Sequence, residues 1–145
     1  MNHAAGAAPA ASITMSDCAL PMTDFITNDT TGLHTRSEAF VRVPGMMKTI
    51  TQGGSSPGCV IVDVSGYSFA PNGALELVSV KLDGVLGNPH LVQFSGDDRV
   101  YAEAHSAIFA FRNVTPGFHK VAMVYHTAVE DVVYMHNPAM TIAHQ

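Results

Sequence analysis

The chain has 145 residues, with 13% charged, 47% hydrophobic and no Trp; at about 100–200 residues per domain this is one domain. So little charge beside so much apolar content excludes intrinsic disorder and a coiled coil. Seven Lys plus Arg, a formal charge of −5 and no basic run exclude phosphate-driven nucleic-acid binding, so the surface is either coated with small polar residues or partly covered by other subunits.

Met1 is followed by Asn2, His3 and an alanine-rich run from Ala4 to Ala11, broken by Gly6 and Pro9. No basic residue precedes this run and it has no leucine-rich centre, so no secretory signal is expected. No apolar window is long enough to span a membrane. The expectation is a soluble protein made in the cytosol, with Cys18 and Cys59 as reduced, packed thiols rather than one disulfide. The Asn28-Asp29-Thr30 and Asn113-Val114-Thr115 sequons carry no weight without secretion.

Residues 1–16 form a small-residue arm that needs a partner, such as a neighbouring chain, to be ordered. Residues 17–37 are polar and look irregular, so residues 1–36 are taken as arm and irregular segment and 37–145 as the globular domain. Ala39 to Val43 alternates with period two and meets the turn pair Pro44-Gly45. Met46 to Thr51 is a second run, ended by Gly53 to Gly58. Cys59 to Val64 is β-branched and stops at Ser65-Gly66.

Leu75 to Leu82 meets Asp83-Gly84, a hairpin signal because type I′ turns need positive φ at both central residues. Pro89 allows Leu91 to Phe94 only as a short or edge strand. Val100 to Arg112 alternates, with Tyr101, Phe109 and Phe111 on one face and Val100, Ala102, Ile108 and Ala110 on the other. After Thr115-Pro116-Gly117, Phe118 to Thr127 is a strand. Ala128 to Asp131 is a loop, and Val132 to Asn137 returns. Closed symmetrically, that loop sets Tyr125 beside Tyr134. Ala139 to His144 is the last strand. The sum is about eight antiparallel strands without a helix, an all-β sandwich with an extended N-terminal arm.

Eight His residues invite a metal, but no His-x-His pair or helical spacing exists. His119 and His126 point to opposite faces of one strand, and His126 and His136 are out of register. A pH-sensitive interface is a weaker alternative to scattered sheet-face positions. There is no Gly-x-Ser-x-Gly, and Gly53 to Gly58 lacks the Lys-Ser/Thr ending of a phosphate loop. Asp97-Asp98, Asp24 and Asp29, and Glu130-Asp131 are too few oxygens for calcium. No catalytic, cofactor or metal residue is assigned, and the chain is expected not to be an enzyme. Exposed aromatic and polar groups of the kind that hold sugars are Tyr67, Asn72, Asp97, Asp98, Arg99 and Tyr101.

Three segments carry a resemblance: Ser37 to Gly45 as "Phe-Val-x-Val-Pro-Gly", Asn113 to Val121 as "Pro-Gly-x-His-x-Val", and Pro138 to Ile142 as the closing strand. Together they resemble the jelly-roll β-sandwich domains of the tumour-necrosis-factor or C1q kind found in phage virions and bacterial surface proteins. Val124-Tyr125 stands where that family often has Trp. The resemblance implies a homotrimer and a virion role, as a capsid decoration or cement protein or a related head or tail subunit. Such a subunit, made in the host cytoplasm and carried in the virion, would attach through the N-terminal arm and the sandwich surface to other virion subunits. The alternative it implies is a trimeric carbohydrate-binding (lectin) or receptor-binding module, secreted or at the cell surface. The few charges fall on loop tips and on isolated strand positions such as Arg42, Lys81 and Arg112, leaving sheet surface for neighbours.

Overall fold

A computed structural model describes residues 18–96, 101–129 and 131–145. Ten strands and no helix make up the described residues: β1 (Met22–Thr27), β2 (Leu33–Thr35), β3 (Val41–Gln52), β4 (Gly58–Phe69), β5 (Glu76–Leu82), β6 (Val85–Leu86), β7 (Val92–Ser95), β8 (Glu103–Val114), β9 (Gly117–Thr127) and β10 (Val133–His144). They form two five-stranded antiparallel sheets stacked as a jelly-roll β-sandwich. The first runs β1-β10-β4-β8 with β2 on β10; the second runs β3-β9-β5-β6 with β7 on β5.

Alternation decides which side chains enter the core. Val60, Val62 and Val64 of β4, Phe109 and Phe111 of β8, and Met135, Met140 and Ile142 of β10 meet Val43, Met46, Ile50, Val78, Val80, Val121 and Met123 of the opposite sheet. These β-branched and large apolar residues fill the pleated inner faces, as period two requires. The Asp83-Gly84 turn has φ of 49° and 87° at its central residues, and Leu82 faces Val85 across it. The segment after Pro89 yields only the four-residue β7.

Several expectations are corrected. Pro44-Gly45 does not end a strand: β3 runs through it, with an irregular register between Arg42 and Met47. Gly45 takes φ 75° there, and a Cβ on it would meet the Asn28 amide at 2.8 Å. Ser65-Gly66 lies inside β4, and Asn137-Pro138 is a bulge inside β10. The segment expected to be irregular, residues 17–37, supplies β1 and β2, both paired with β10.

The 128–132 link crosses between sheets instead of closing a hairpin, so Tyr125 and Tyr134 do not meet. Tyr125 is buried and its hydroxyl donates to His34 O at 2.8 Å, whereas Tyr134 stands beside Phe69 and His34. Cys18 and Cys59 form a disulfide, with Cα atoms 5.3 Å apart. Its cause is topological: β1 and β4 flank β10 on either side, which brings the start of each to the same end of the sheet.

Candidate functional site

One end of the sandwich gathers the β4–β5 turn, the end of β7 and the start of β8. Tyr101 stands there 80% exposed, over a cavity of about 140 Å³ lined by Gln93, Phe94, Ser95, Gly96, Glu103 and His105. Pairing with β5 holds β7 in place and buries Phe94, and the His105 ring lies 5.8 Å from the Phe94 ring. His105 Nε2 is 3.8 Å from a Glu103 carboxylate oxygen. A Cβ on Gly96 would come within 2.5 Å of Leu75, so the backbone approaches this wall only because the residue is glycine. An aromatic face beside an amide, a hydroxyl, a carboxylate and an imidazole is suited to a hydroxyl-rich ligand.

Of the residues singled out from sequence, Tyr101 lines this cavity. Tyr67 lies on the outer face of β4, opposite Ala104 of β8, and exposed Asn72 occupies the β4–β5 turn with φ 56°; neither lines the cavity. Asp97, Asp98 and Arg99 lie outside the described residues, as do Glu130 and Val100.

Inside the same end sits an acid that the strand pattern hid. Glu76, at the start of β5, is 0% exposed. The Ser68 hydroxyl donates to its Oε2, while Oε1 has no hydrogen-bond partner among the described residues. Burial raises its pKa to about 9, so it is a neutral acid at pH 7. Burial, with Glu76 nearby, also raises Tyr125 to about 12. The one signal in the sequence was a carboxylate set between Leu75 and Leu77 in an apolar run.

The opposite end holds a groove of about 390 Å³ beside the β5–β6 and β8–β9 turns, with Leu86, Asn88, His90, Phe111, Arg112 and Asn113 among its walls. His119 Nδ1 lies 2.6 Å from Asp83 Oδ2, and its Nε2 lies 2.7 Å from Thr115 O. Asp83 Oδ1 accepts the Lys120 N–H at 2.8 Å. With an acceptor at each ring nitrogen, the doubly protonated imidazolium fits best. Desolvation opposes that charge, but the Asp83 and Thr115 hydrogen bonds outweigh it and raise the His119 pKa. The Lys120 backbone and His119 hold Asp83 below the usual carboxylate range. This arrangement clamps two turns together. Among the described residues no three His, Cys, Asp or Glu side chains are grouped so as to hold a metal.

The outer face of the first sheet is a third feature. The registers stack its side chains in rows: Phe25, Thr141, Asp63, Ile108; then Thr27, Ala139, Ser65, Ser106; then His136, Tyr67, Ala104. Phe25 is 62%, Tyr67 50% and Ile108 60% exposed. Between them stand small residues and a single carboxylate, Asp63. The outer face of the second sheet differs, with Arg42, Lys81 and Lys120 at its surface positions.

No family model and no curated protein matches the sequence. In fold, the chain is similar to a mutant VP2 protein of infectious bursal disease virus in derived T=1 particles, with TM-score 0.55 and 10% identity over 99% of this chain and 36% of that one. It is similar to the VP2 subviral particle of the same virus with TM-score 0.55 and 8% identity, over 88% of this chain and 34% of that one. The chain thus spans about a third of the capsid proteins it matches. The C-terminal domain of EclA, a sugar-binding protein, aligns with TM-score 0.43 and 14% identity, over 96% of this chain and 89% of that one. At identities this low the two VP2 matches establish likeness of fold alone: a jelly-roll β-sandwich.

Proposed function

We propose that the protein is a non-enzymatic structural protein of a virion, a capsid decoration or cement subunit or a related head or tail component. It packs on copies of itself, as a homotrimer of the tumour-necrosis-factor type, and on other shell subunits. The observation that carries this reading is the outer face of the first sheet. Exposed Phe25, Tyr67 and Ile108 lie there in rows of Ala, Ser and Thr with one charge. Exposed apolar surface of this kind marks an interface. The VP2 likeness supports the reading only in that the same fold occurs in a particle-forming protein. The Cys18–Cys59 disulfide supports a working life in oxidising surroundings such as a virion surface. The N-terminal arm, residues 1–16, supplies the attachment to the shell.

Light scattering tests the reading. The wild type is expected to be oligomeric at micromolar concentration, Phe25→Lys to shift it to smaller species, and deletion of residues 1–16 to abolish shell attachment while the fold survives. A stable wild-type monomer, or full attachment by the truncated chain, overturns it.

A second reading is favoured by the cavity under Tyr101, where an exposed aromatic ring stands over Gln93, Ser95, Glu103 and His105. It makes the chain a carbohydrate-binding or receptor-binding module. A glycan array is then expected to give saturable hits that Tyr101→Ala removes. A blank array at high protein concentration ends that reading.

A further inference from the structure

Among the described residues the first sheet ends on β8, and the middle of β8 has no strand paired to its outer edge. Ala110 turns both its backbone groups away from β4: its N–H donates to Asn88 O at 2.9 Å and its carbonyl accepts the Asn88 N–H at 3.0 Å. Backbone groups of successive residues alternate between the two edges of a strand. The N–H and C=O of Ala104, Ser106 and Ile108 therefore also point away from β4, and among the described residues nothing pairs with them.

Unpaired edges are ordinarily blunted by charge, proline, bulges or short length. The other edges of this sandwich follow that rule. β3 carries Pro44-Gly45, an irregular register and Lys48; β1 has six residues, with Asp24 bound to Lys48 and His144; β6 has two and β7 four. The stretch from Ala104 to Ile108 contains no proline, lysine, arginine or bulge.

We propose that β8 pairs edge to edge, antiparallel, with β8 of a second copy about a two-fold axis at Ser106. The inference goes beyond the assembly reading above, which uses the face of the sheet rather than its edge. Two observations select this register and this occupant. The open stretch is centred on Ser106, and the Asn88 bridge ends it at Ala110. Ser106 then faces Ser106, and Ala104 faces Ile108 of the second copy, each pair exchanging both N–H···O bonds.

The same register also places Ile108 of one copy beside Ala104 of the other. Tyr67 lies next to Ala104 on the same outer face. The exposed Ile108 and Tyr67 thus close over the small Ala104 from either side. A strand of unrelated sequence would not bring an isoleucine to that place.

Hydrogen exchange of the full chain at rising concentration tests the proposal, with light scattering on the same samples. The amides of Ala104, Ser106 and Ile108 are expected to gain at least roughly tenfold protection as the mass doubles. Ser106→Lys sets two like charges opposite one another at the axis and is expected to abolish both changes. Because Ser106 is exposed, the variant should keep the wild-type urea midpoint, which shows that it folds. Phe25→Lys, away from the edge, should leave the protection intact.

Amides that exchange freely at every concentration, or protection that survives Ser106→Lys, overturn the pairing. Displacement of the protection by a peptide of residues 1–17 overturns it in favour of that segment as the occupant. Oligomers that form with these amides unprotected sink the edge pairing and leave the face reading standing. Protection with no species beyond the pair does the reverse.

Discussion

The two ends of the sandwich handle buried polar groups in opposite ways. At the end where β4 and β3 meet the C-terminus, the buried polar side chains among the described residues have partners. Gln52 donates to Cys59 O and accepts the Gln145 N–H, and Gly53 N–H donates to Gln145 O. His144 contacts Asp24, which also bridges to Lys48. The disulfide closes the same end, and the Asp83–His119 clamp joins two of its turns. At the other end a neutral acid, Glu76, keeps one oxygen without a partner among the described residues, near an open cavity rimmed by exposed Tyr101. The contrast teaches where stability is concentrated and where surface is left for a partner.

The largest expected effect sharpens the contrast at the open end. Glu76 has a folded-state pKa near 9, above its ordinary 4.5. Between those values the folded state keeps a proton that the unfolded chain has lost. Stability therefore falls as pH rises through that window, by up to about 1.4 kcal/mol per unit, and levels off above it. Glu76→Gln should remove the slope, so that its stability gain over the wild type is larger at pH 8 than at pH 5. Urea unfolding at both values measures it, and an unchanged slope breaks the account.

Next comes the braced end. Replacing Cys18 and Cys59 with Ser frees a loop whose ends are 41 residues apart, at a cost of about 4 kcal/mol in the chain-entropy model. Reductant should reproduce the loss in the wild type and do nothing to the double variant. Smaller still, Asp83→Asn keeps a residue that tolerates the positive φ of the turn but removes the charge facing His119. A half-exposed pair of this kind is worth about 0.2–1 kcal/mol. The pair contributes fully between 3.8 and 6.5, the ordinary Asp and His values, and no longer contributes beyond the depressed Asp83 value or the raised His119 value. Its contribution fades as pH rises through the latter or falls through the former, so the variant should show a flatter profile at both limits.

Smallest of all, Tyr101→Ala should leave the unfolding free energy within about 0.5 kcal/mol of wild type, because an exposed ring contributes little to folding. A larger loss would mean that the open end is braced after all.

Much of the fold was legible because its causes are local. Runs such as Cys59 to Val64 are β-branched and of strand length, and Asp83-Gly84 supplies its own hairpin geometry. Pro89 limits the strand that follows. Pro44-Gly45 and Asn137-Pro138 misled for the same reason: their turn chemistry also serves a bulge, and only the neighbouring strand decides between the two. Of the candidate site, Tyr101 was legible as an exposed aromatic beside a polar loop. Glu76 was marked only by its place between Leu75 and Leu77, and the Asp83–His119 pair by nothing local, since its partners are 36 residues apart.

What the sequence by itself determined, then, is an all-β chain with its apolar periodicity, its hairpin and its scarce charge. The tertiary structure alone decided that β9 and β10 lie in different sheets. It also joined Cys18 to Cys59, sank a glutamate into the core and, among the described residues, left the middle of β8 without a strand at its outer edge. The physical reason is that strand partners are chosen by how two apolar faces close on one another. That choice sums contacts between residues far apart in the chain, and no local pattern encodes it.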